Sequence, residues 1–404
     1  MMNKKISLSS LIVIVCFSVL LTFMITYVRA KNTYSKILDN TELNNRVMLK
    51  LKELDKLTKD SYIGEVDSQK ILDSISEGYV KGLGDRYAEY MNAERYDEYR
   101  RSNQGKMVGI GVEVLPSDDR GGVIEIVSVY PDSPAEKGGM ISGDYIYKVE
   151  DEFVSVLGYY EAVNKIRGEI GTSVNLTILR GSDHSEELVF AFVRDEVKTQ
   201  SVKHRIINGE TGYIRIKEFN QETPNEFISA VNEMEAAGVI QYIFDVRYNP
   251  GGDLKGVTDT LNYLLPEGPI IRYIYKNSKE ESIMSDANEI VAPMVVLINE
   301  NTASAAELFC SALKDYAKAT LIGVKTYGKG TMQGIYPLSD GRTAVKFSNA
   351  KYFPPFSDCY DGIGVFPDME VKLPEELLKE KSFDKLTDEE DTQLQAAIKA
   401  LAIE

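Results

Sequence analysis

Residues 240–254 read IQYIFDVRYNPGGDL and predict a strand, a turn and the start of a helix in succession. The apolar residues from Ile240 to Val246 predict a buried strand, and the residues from Leu254 to Leu265 predict a helix. The turn Asn249-Pro250-Gly251-Gly252 joins them. Paired glycines let backbone N–H groups point into a pocket, and the positive end of the following helix adds to their field. The turn is therefore a candidate oxyanion site, although an isolated NPGG sequence is also compatible with a plain tight turn.

The same alternation of strand and helix extends on both sides of this stretch. Strands are predicted at Tyr213–Ile216, Met294–Ile298 and Thr320–Ile322, with helices at Pro224–Ala237 and from Ala303 to about Ala317. Alternation of this kind is typical of an α/β layer with mostly parallel strands. Functional groups in such layers lie in loops at the carboxyl ends of the strands.

A second such loop is Asn301-Thr302-Ala303-Ser304-Ala305-Ala306-Glu307. It presents Ser304 at the start of a helix, between alanines that allow a substrate backbone to approach. The alternative is that Thr302 or Ser304 is only an N-cap, with Glu307 completing a capping box.

A third loop is Thr326-Tyr327-Gly328-Lys329-Gly330. With Gly323 it comes close to a phosphate-binding loop, but Gly330 stands where that motif has Ser or Thr. The next residues, Thr331–Phe347, are strand-type rather than helical, so a nucleotide site is rejected. The loop instead offers a lysine between glycines, with no acidic residue within six positions and Gln333 four residues later.

Together the three loops supply a nucleophile, a base and oxyanion donors without a histidine. A Ser/Lys pair needs a neutral amine, whereas a free lysine has a pKa near about 10.4. Burial without an acidic partner lowers that pKa. Gln333 is able to orient the amine without pairing its charge. If Lys329 is not the base, His204 is the remaining imidazole outside the β-rich module described next.

The N-terminal half has a different composition. Residues 31–103 are predicted to be helical, and residues 104–194 to form a mostly β module. Residues 195–373 hold the α/β layer, and residues 374–404 form a charged helical tail that packs on it.

Nine segments resemble the carboxyl-terminal processing, or tail-specific, serine peptidases in the order that this family has them. The resemblance covers nearly the whole chain after residue 30. The segments are Gly78–Met91, Gly109–Val114, Ser133–Val149, Ile166–Arg180, Gly212–Phe219, Asp245–Leu254, Asn301–Glu307, Thr326–Gln333 and Gly362–Val371.

The resemblance implies an α/β core like that of ClpP and crotonase, with an inserted, mostly β PDZ domain. It implies Ser304 as nucleophile, Lys329 as base and Gln333 as its assistant. The implied oxyanion donors are the backbone of Ala305 and of Gly251 or Gly252. Ala306, where the family often has serine, and Cys310 depart from the common pattern without touching this chemistry.

The PDZ domain implies protein or peptide substrates with free apolar C-termini. Its carboxylate-binding loop matches Met107-Val108-Gly109-Ile110-Gly111-Val112, whose small residues expose consecutive amides, and a plain turn is the alternative. Arg167 is either a surface charge or a bridge from the PDZ domain to the core. Two rival functions remain: a catalytically inactive PDZ scaffold, and an acyl-CoA enzyme on the same layer.

The N-terminus predicts a membrane anchor. Lys4 and Lys5 precede 23 uncharged residues, 6–28, which is long enough to span a bilayer. Because basic residues stay on the cytoplasmic side, the body is expected outside the cytoplasm, on a single-pass cell-membrane anchor (residues 1–30). A cleaved signal peptide ending near Val28-Arg29-Ala30 is the alternative, and it exports the body as well.

Charge and cysteine content exclude other classes of function. The net charge is −16, which argues against nucleic-acid partners because an acidic body repels phosphate. Cys310 and Cys359 are the only possible intrachain pair outside the apolar N-terminal run, and free thiols are favoured over a bridge. No motif with metal-ligand spacing is present in the sequence, so no metal and no cofactor are expected. A homo-oligomer is also compatible with the sequence.

Overall fold

The computed structural model describes residues 17–28, 41–117, 122–181, 185–286 and 288–402. The chain divides into two compact units, residues 1–71 and 72–404. In the first unit, residues 17–28 form helix α1 and Thr41–Ser61 form helix α2. Part of the predicted membrane span, residues 6–16, lies outside the described residues. Within the described ranges, no helix is both long enough and apolar enough to cross a bilayer.

The remaining helices are, in chain order, α3 (Ser68–Lys81), α4 (Ala93–Asn103), α5 (Pro134–Lys137), α6 (Val154–Leu157), α7 (Tyr159–Ile166), α8 (Thr223–Ala236), α9 (Leu254–Asn262), α10 (Ala305–Asp315), α11 (Glu375–Glu380) and α12 (Thr392–Leu401). The strands are β1 (Glu89–Met91), β2 (Lys106–Gly109), β3 (Val112–Ser117), β4 (Val123–Val129), β5 (Tyr145–Val149), β6 (Glu152–Phe153), β7 (Ser173–Arg180), β8 (Glu186–Val193), β9 (Asp195–Lys198), β10 (Val202–Ile207), β11 (Thr211–Ile216), β12 (Gln241–Asp245), β13 (Gly268–Tyr275), β14 (Glu280–Ser285), β15 (Met294–Ile298), β16 (Thr320–Gly323), β17 (Thr331–Pro337), β18 (Ala344–Phe353) and β19 (Met369–Glu370).

The central layer of the second unit is a six-stranded sheet in the order β10-β11-β12-β15-β16-β19. Five strands of this sheet, β11, β12, β15, β16 and β19, run parallel, and β10 pairs antiparallel with β11. Every residue of β15 is buried, as its unbroken apolar sequence predicts. The parallel α/β layer expected from the strand-helix alternation is therefore confirmed.

Helices cover both faces of this sheet. One large hydrophobic core includes residues of α8, α9 and α10, among them Phe227, Leu261 and Phe309. On the opposite face, Leu394 and Leu401 of α12 pack against apolar side chains of β12, β15 and β16. The prediction that the C-terminal tail packs on the body as a helix is confirmed.

A second, antiparallel sheet completes the α/β core. Its strand order is β1-β18-β13-β14, and β17 also pairs with β18. The region 31–103, predicted to be helical, also contains strand β1, because Glu89 to Met91 pair with residues 344–346. This pairing joins parts of the chain about 250 residues apart, so no local sequence pattern predicts it.

The β-rich module forms a separate sheet in the order β3-β4-β5-β7-β8, with β6 paired to β5. Its own core includes Ile124, Ile146 and Leu176, all fully buried. Strand β2 lies outside this sheet and pairs with β9 in a two-stranded ribbon. Strand β3 consequently lies at an edge of the described sheet, where a further strand is able to pair.

Candidate active site

The three predicted loops meet at the carboxyl ends of neighbouring parallel strands β12, β15 and β16. The backbone N–H of Ala303 donates to the carbonyl of Asn249 at 2.9 Å, and that of Tyr327 donates to the carbonyl of Thr302 at 3.0 Å. The Thr302 hydroxyl donates to the carbonyl of Val246 at 2.9 Å. Thr302 is therefore a link between loops and not the N-cap of α10.

Ser304 precedes α10 in a strained backbone conformation, with φ 57° and ψ −119°. A non-glycine residue in such a region costs on the order of 1–3 kcal/mol and persists only where its surroundings enforce it. An ordinary N-cap residue has extended dihedral angles, so capping alone does not need this conformation. A sharp, strained turn into a helix is the way in which many hydrolases present a nucleophilic serine.

The two glycines of the turn at 249–252 have different roles. The N–H of Gly251 donates to the Asn249 side chain at 2.8 Å, so it is already used. A Cβ at Gly251 would lie 2.8 Å from the Cβ of Ser304, so only glycine fits there. In the part of the chain that the structure describes, no acceptor takes the N–H of Gly252 or of Ala305. Of the two glycines that the sequence left open, Gly252 is therefore the one whose N–H, like that of Ala305, has no acceptor among the described residues.

Lys329 is half-buried in the loop between β16 and β17. Burial lowers the pKa of its amine, and the positive charges of Lys346 and Arg86 lower it further, against the opposing charges of Asp85 and Glu307. This is the direction that a neutral lysine base requires.

Two tyrosines fix the position of Lys329. The hydroxyl of Tyr352 donates to its carbonyl oxygen at 2.5 Å. The Tyr87 ring lies 4.6 Å from its Nζ.

Gln333 lies on β17, and its amide nitrogen donates to the carbonyl of Thr331 at 2.9 Å and to the hydroxyl of Ser348 at 3.4 Å. Among the described residues, no hydrogen bond joins Gln333 to Lys329. The side chain is thus near the expected base without the contact that the sequence predicted.

One cavity of about 710 Å³ collects all the predicted catalytic and oxyanion residues, namely Ser304, Lys329, Gln333, Ala305, Gly251 and Gly252. Part of its wall is apolar and includes Ile271, Leu308 and Met332. Its volume is that of an ordinary ligand site, and its apolar wall suits an uncharged side chain.

Residues 85–87 are a part of the site that the sequence interpretation missed. The Asp85 carboxylate accepts from the N–H of Ser348 at 2.7 Å and from its hydroxyl at 3.3 Å. Ser348 in turn accepts from Gln333, so residue 85 is connected to the wall of the cavity. The sequence analysis included these residues in the segment Gly78–Met91 but gave them no role, since the β1–β18 pairing that brings them here is not a local feature.

The predicted carboxylate-binding loop is split between two sheets. Val108 and Gly109 end β2, Ile110 and Gly111 form the connection, and Val112 begins β3. Within the described ranges, neither the N–H of Ile110 nor that of Gly111 donates to an acceptor, so two consecutive amides remain available.

Other candidates lie apart from the cavity. The Nε2 of His204 lies 3.2 Å from the Glu233 carboxylate, and His204 does not line the cavity. Arg167 is exposed, and its guanidinium makes no ion pair or hydrogen bond among the described residues, so the bridge to the core is not seen. Cys310 and Cys359 are free thiols. In the described part of the chain, no group of three His, Cys, Asp or Glu side chains is placed to hold a metal ion.

Known proteins resemble this chain in both sequence and fold. Family models match peptidase family S41 at residues 210–371 and a PDZ domain at residues 125–180. A carboxy-terminal-processing protease of Bartonella bacilliformis is 31% identical over 360 residues, covering 87% of this chain and 78% of the relative. The carboxy-terminal processing protease CtpA of Bacillus subtilis is 33% identical over 319 residues, covering 78% of this chain and 67% of the relative.

A crystal structure of a putative S41 protease from Bacteroides fragilis has the same fold, with a TM-score of 0.55 at 18% identity. The likeness covers 81% of this chain and 90% of that one. The structural likeness, at 18% identity, shows the fold, whereas the sequence relatives, at 31% and 33% identity, show the family. This chain belongs to peptidase family S41 and is a serine-type carboxy-terminal processing protease with a PDZ domain.

Proposed function

We propose that the chain cleaves exported proteins near their C-termini with Ser304 as nucleophile and Lys329 as general base. The observation that carries this proposal is the single cavity lined by both residues and by Gly252 and Ala305, whose N–H groups are unused. The strained backbone of Ser304 and the lowered pKa of Lys329 support the same assignment.

In this mechanism Ser304 Oγ attacks the carbonyl carbon of the scissile bond, and its proton passes to Lys329 Nζ. The N–H groups of Ala305 and Gly252 bind the oxyanion of the tetrahedral intermediate. When the C–N bond breaks, the leaving amine takes the proton from Lys329 and an acyl-enzyme ester remains. Water then attacks the ester, gives a proton to Lys329, and releases the acid product as the proton returns to Ser304.

Gln333 is proposed to assist by holding the wall of the cavity beside the amine. Its hydrogen bonds support a positioning role, since the bond to Thr331 fixes its side chain on β17 and the bond to Ser348 joins β17 to β18. Contact of its carbonyl oxygen with the Lys329 amine is proposed for the substrate complex.

The PDZ domain is proposed to bind the free, apolar C-terminus of the substrate through residues 108–112. The available amides of Ile110 and Gly111 support capture of a carboxylate, and edge strand β3 supports pairing with an extended peptide. Peptides with a free C-terminal acid should be cleaved faster than their amidated forms. Equal rates would reject this part of the proposal and leave the catalytic part standing.

Residues 6–28 are proposed as a single-pass anchor in the cell membrane, with the catalytic body outside the cytoplasm. The support is the uncharged run after Lys4 and Lys5. Fractionation of cells expressing the full chain, followed by external protease treatment, tests both points. A body that stays protected in intact cells would contradict the orientation.

Replacing the proposed nucleophile tests the active site directly. Ser304→Ala should reduce peptide cleavage below about a hundredth of the wild-type rate and abolish labelling by a fluorophosphonate probe, with an unchanged circular dichroism spectrum. A mutant that keeps more activity than this, or a wild-type chain labelled at another serine, would overturn the assignment.

Replacing the proposed base tests the proton transfer. Activity should rise with pH through the lowered pKa of Lys329, because only the neutral amine accepts a proton. Lys329→Arg should be inactive across that range, since arginine keeps its charge. The measurement is kcat/KM against pH for wild type, Lys329→Arg and Lys329→Ala. Near wild-type activity in the arginine variant would show that residue 329 has only a structural role.

A further inference from the structure

Glu307 is a fully buried carboxylate in the first turn of helix α10. Four donors converge on it. They are the backbone N–H groups of Ser304 at 2.9 Å, Lys329 at 2.8 Å and Gly328 at 2.7 Å, and the hydroxyl of Thr326 at 2.5 Å. An ionised carboxylate, which only accepts hydrogen bonds, matches such a set.

The two oxygens of Glu307 divide these donors in a specific way. Oε1 accepts from Thr326 and Gly328, which belong to the lysine loop. Oε2 accepts from both Ser304 and Lys329. A single oxygen atom therefore holds the backbone of the proposed nucleophile and of the proposed base, although these residues are 25 positions apart in the sequence.

We propose that Glu307 is the positioning residue that fixes Ser304 and Lys329 in one catalytic geometry. The proposal rests on the proposed roles of those two residues. A misplacement of about 1 Å is enough to cost roughly 10²-fold in rate, so a group that ties both backbones together is important for activity without touching the substrate.

A capping role alone does not account for these contacts. In a capping box the Glu side chain accepts one bond only, from the N-cap N–H, and here that is the bond from Ser304. The other three donors come from a loop 19 to 22 residues later in the chain. The strained φ of 57° at Ser304 also needs a fixed partner, and the Ser304 N–H is bonded to Glu307.

Glu307 also acts on the charge of the base. Its negative charge raises the pKa of Lys329, as does that of Asp85, while burial and the cations Lys346 and Arg86 lower it. Neutralising residue 307 should therefore lower the pKa of Lys329 further, and the rising limb of activity should move to lower pH. The titratable groups around Glu307 itself are Tyr352, Tyr360 and Cys310, whose pKa values are all raised, chiefly by burial, so they stay uncharged in this range.

Glu307→Gln keeps the shape of the side chain but replaces one acceptor oxygen with an amide group that faces donors. We expect kcat/KM to fall about 10²-fold and fluorophosphonate labelling of Ser304 to slow. The rising limb of kcat/KM against pH should move to lower pH. Glu307→Asp keeps the charge and shortens the reach. It should also lose activity, but without the downward displacement of the limb.

Glu226→Gln is the matched control. Glu226 is also a carboxylate in the first turn of a helix, and it accepts from the N–H and hydroxyl of Ser201 and from the N–H of Val202, at 2.8 to 2.9 Å. It does not line the catalytic cavity. Its replacement should lower the melting temperature and leave kcat/KM and the pH profile of the folded fraction unchanged.

The outcomes separate the possibilities. Wild-type kcat/KM in folded Glu307→Gln, or a loss no larger than that of Glu226→Gln with an unmoved limb, would overturn the proposal. If Glu307→Gln does not fold, Glu307→Asp decides, since a wild-type rate there would contradict a positioning role. Activity that survives in Ser304→Ala would instead reject the proposed function, whatever the result at residue 307.

Discussion

The two halves of the catalytic cavity are built in different ways. The nucleophile side, residues 245–254 and 299–308, consists of loops that directly follow adjacent parallel strands. The base side combines residues 85–91 with residues 326–337 and 344–352, which include the paired strands β17 and β18 and lie far later in the sequence. On the nucleophile side, strained dihedral angles and close backbone contacts fix the geometry. On the base side, the charges and burial around one amine decide whether it can act.

The nucleophile side depends on a buried charge cluster at the end of β12. Arg247 is 1% exposed and donates to Asp245 and to Asp391 of the C-terminal segment, at 2.6 and 2.7 Å from its Nη2. Arg247→Met leaves two buried carboxylates without their cation. We expect a loss of about 3–5 kcal/mol in the free energy of unfolding, measured by denaturant titration.

The control for this change is the exposed pair Lys255–Asp259, four residues apart on α9. Lys255→Met should cost no more than about 0.5 kcal/mol. A loss below about 1 kcal/mol in Arg247→Met would mean that the buried cluster is not what holds the nucleophile side.

A second change acts on the oxyanion turn without altering charge. Gly252 has φ 135°, and a Cβ there would lie 2.0 Å from the carbonyl oxygen of Phe219. Gly252→Ala should move the N–H that we assign to the oxyanion and reduce kcat by about 10²–10³-fold. The matched control is Gly238→Ala, where φ is 91° and the added Cβ meets nothing within 4 Å. It should cost stability only, and equal kcat values in the two variants would refute the assignment of Gly252.

The base side should respond to charge. Lys346 lowers the pKa of Lys329, so Lys346→Gln should raise that pKa and move the rising limb of kcat/KM to higher pH. Glu89, which pairs with Lys346, keeps its second ion pair with Arg95 in this variant. Lys325→Gln, at an exposed position earlier in the same loop, should leave the limb in place. A limb that stays fixed in Lys346→Gln would show that burial alone sets the pKa of Lys329.

Much of the nucleophile side was predictable because its signals are local. The apolar runs of β12 and β15, the glycine pair after one and the serine after the other are contiguous in sequence, and parallel strands bring their ends together. The base side was predictable only at Lys329 and Gln333. Residues 85–87 were given no role because they reach the cavity only through the pairing of the following strand β1 with β18. Pairing over so long a separation leaves no periodic pattern in the sequence.

The parallel layer, the β-rich module and the residues selected by the family resemblance were all predictable from the sequence. Hydrophobic periodicity and glycine turns are properties of short stretches, so they can be recognised in the sequence without knowledge of the fold. The folded structure was needed to see that the N–H of Gly251 donates to Asn249, whereas that of Gly252 has no acceptor among the described residues. It alone revealed that one oxygen of Glu307 holds both Ser304 and Lys329. Hydrogen-bond partners and burial depend on contacts between residues that are distant in the sequence, and these contacts are known only from the folded chain.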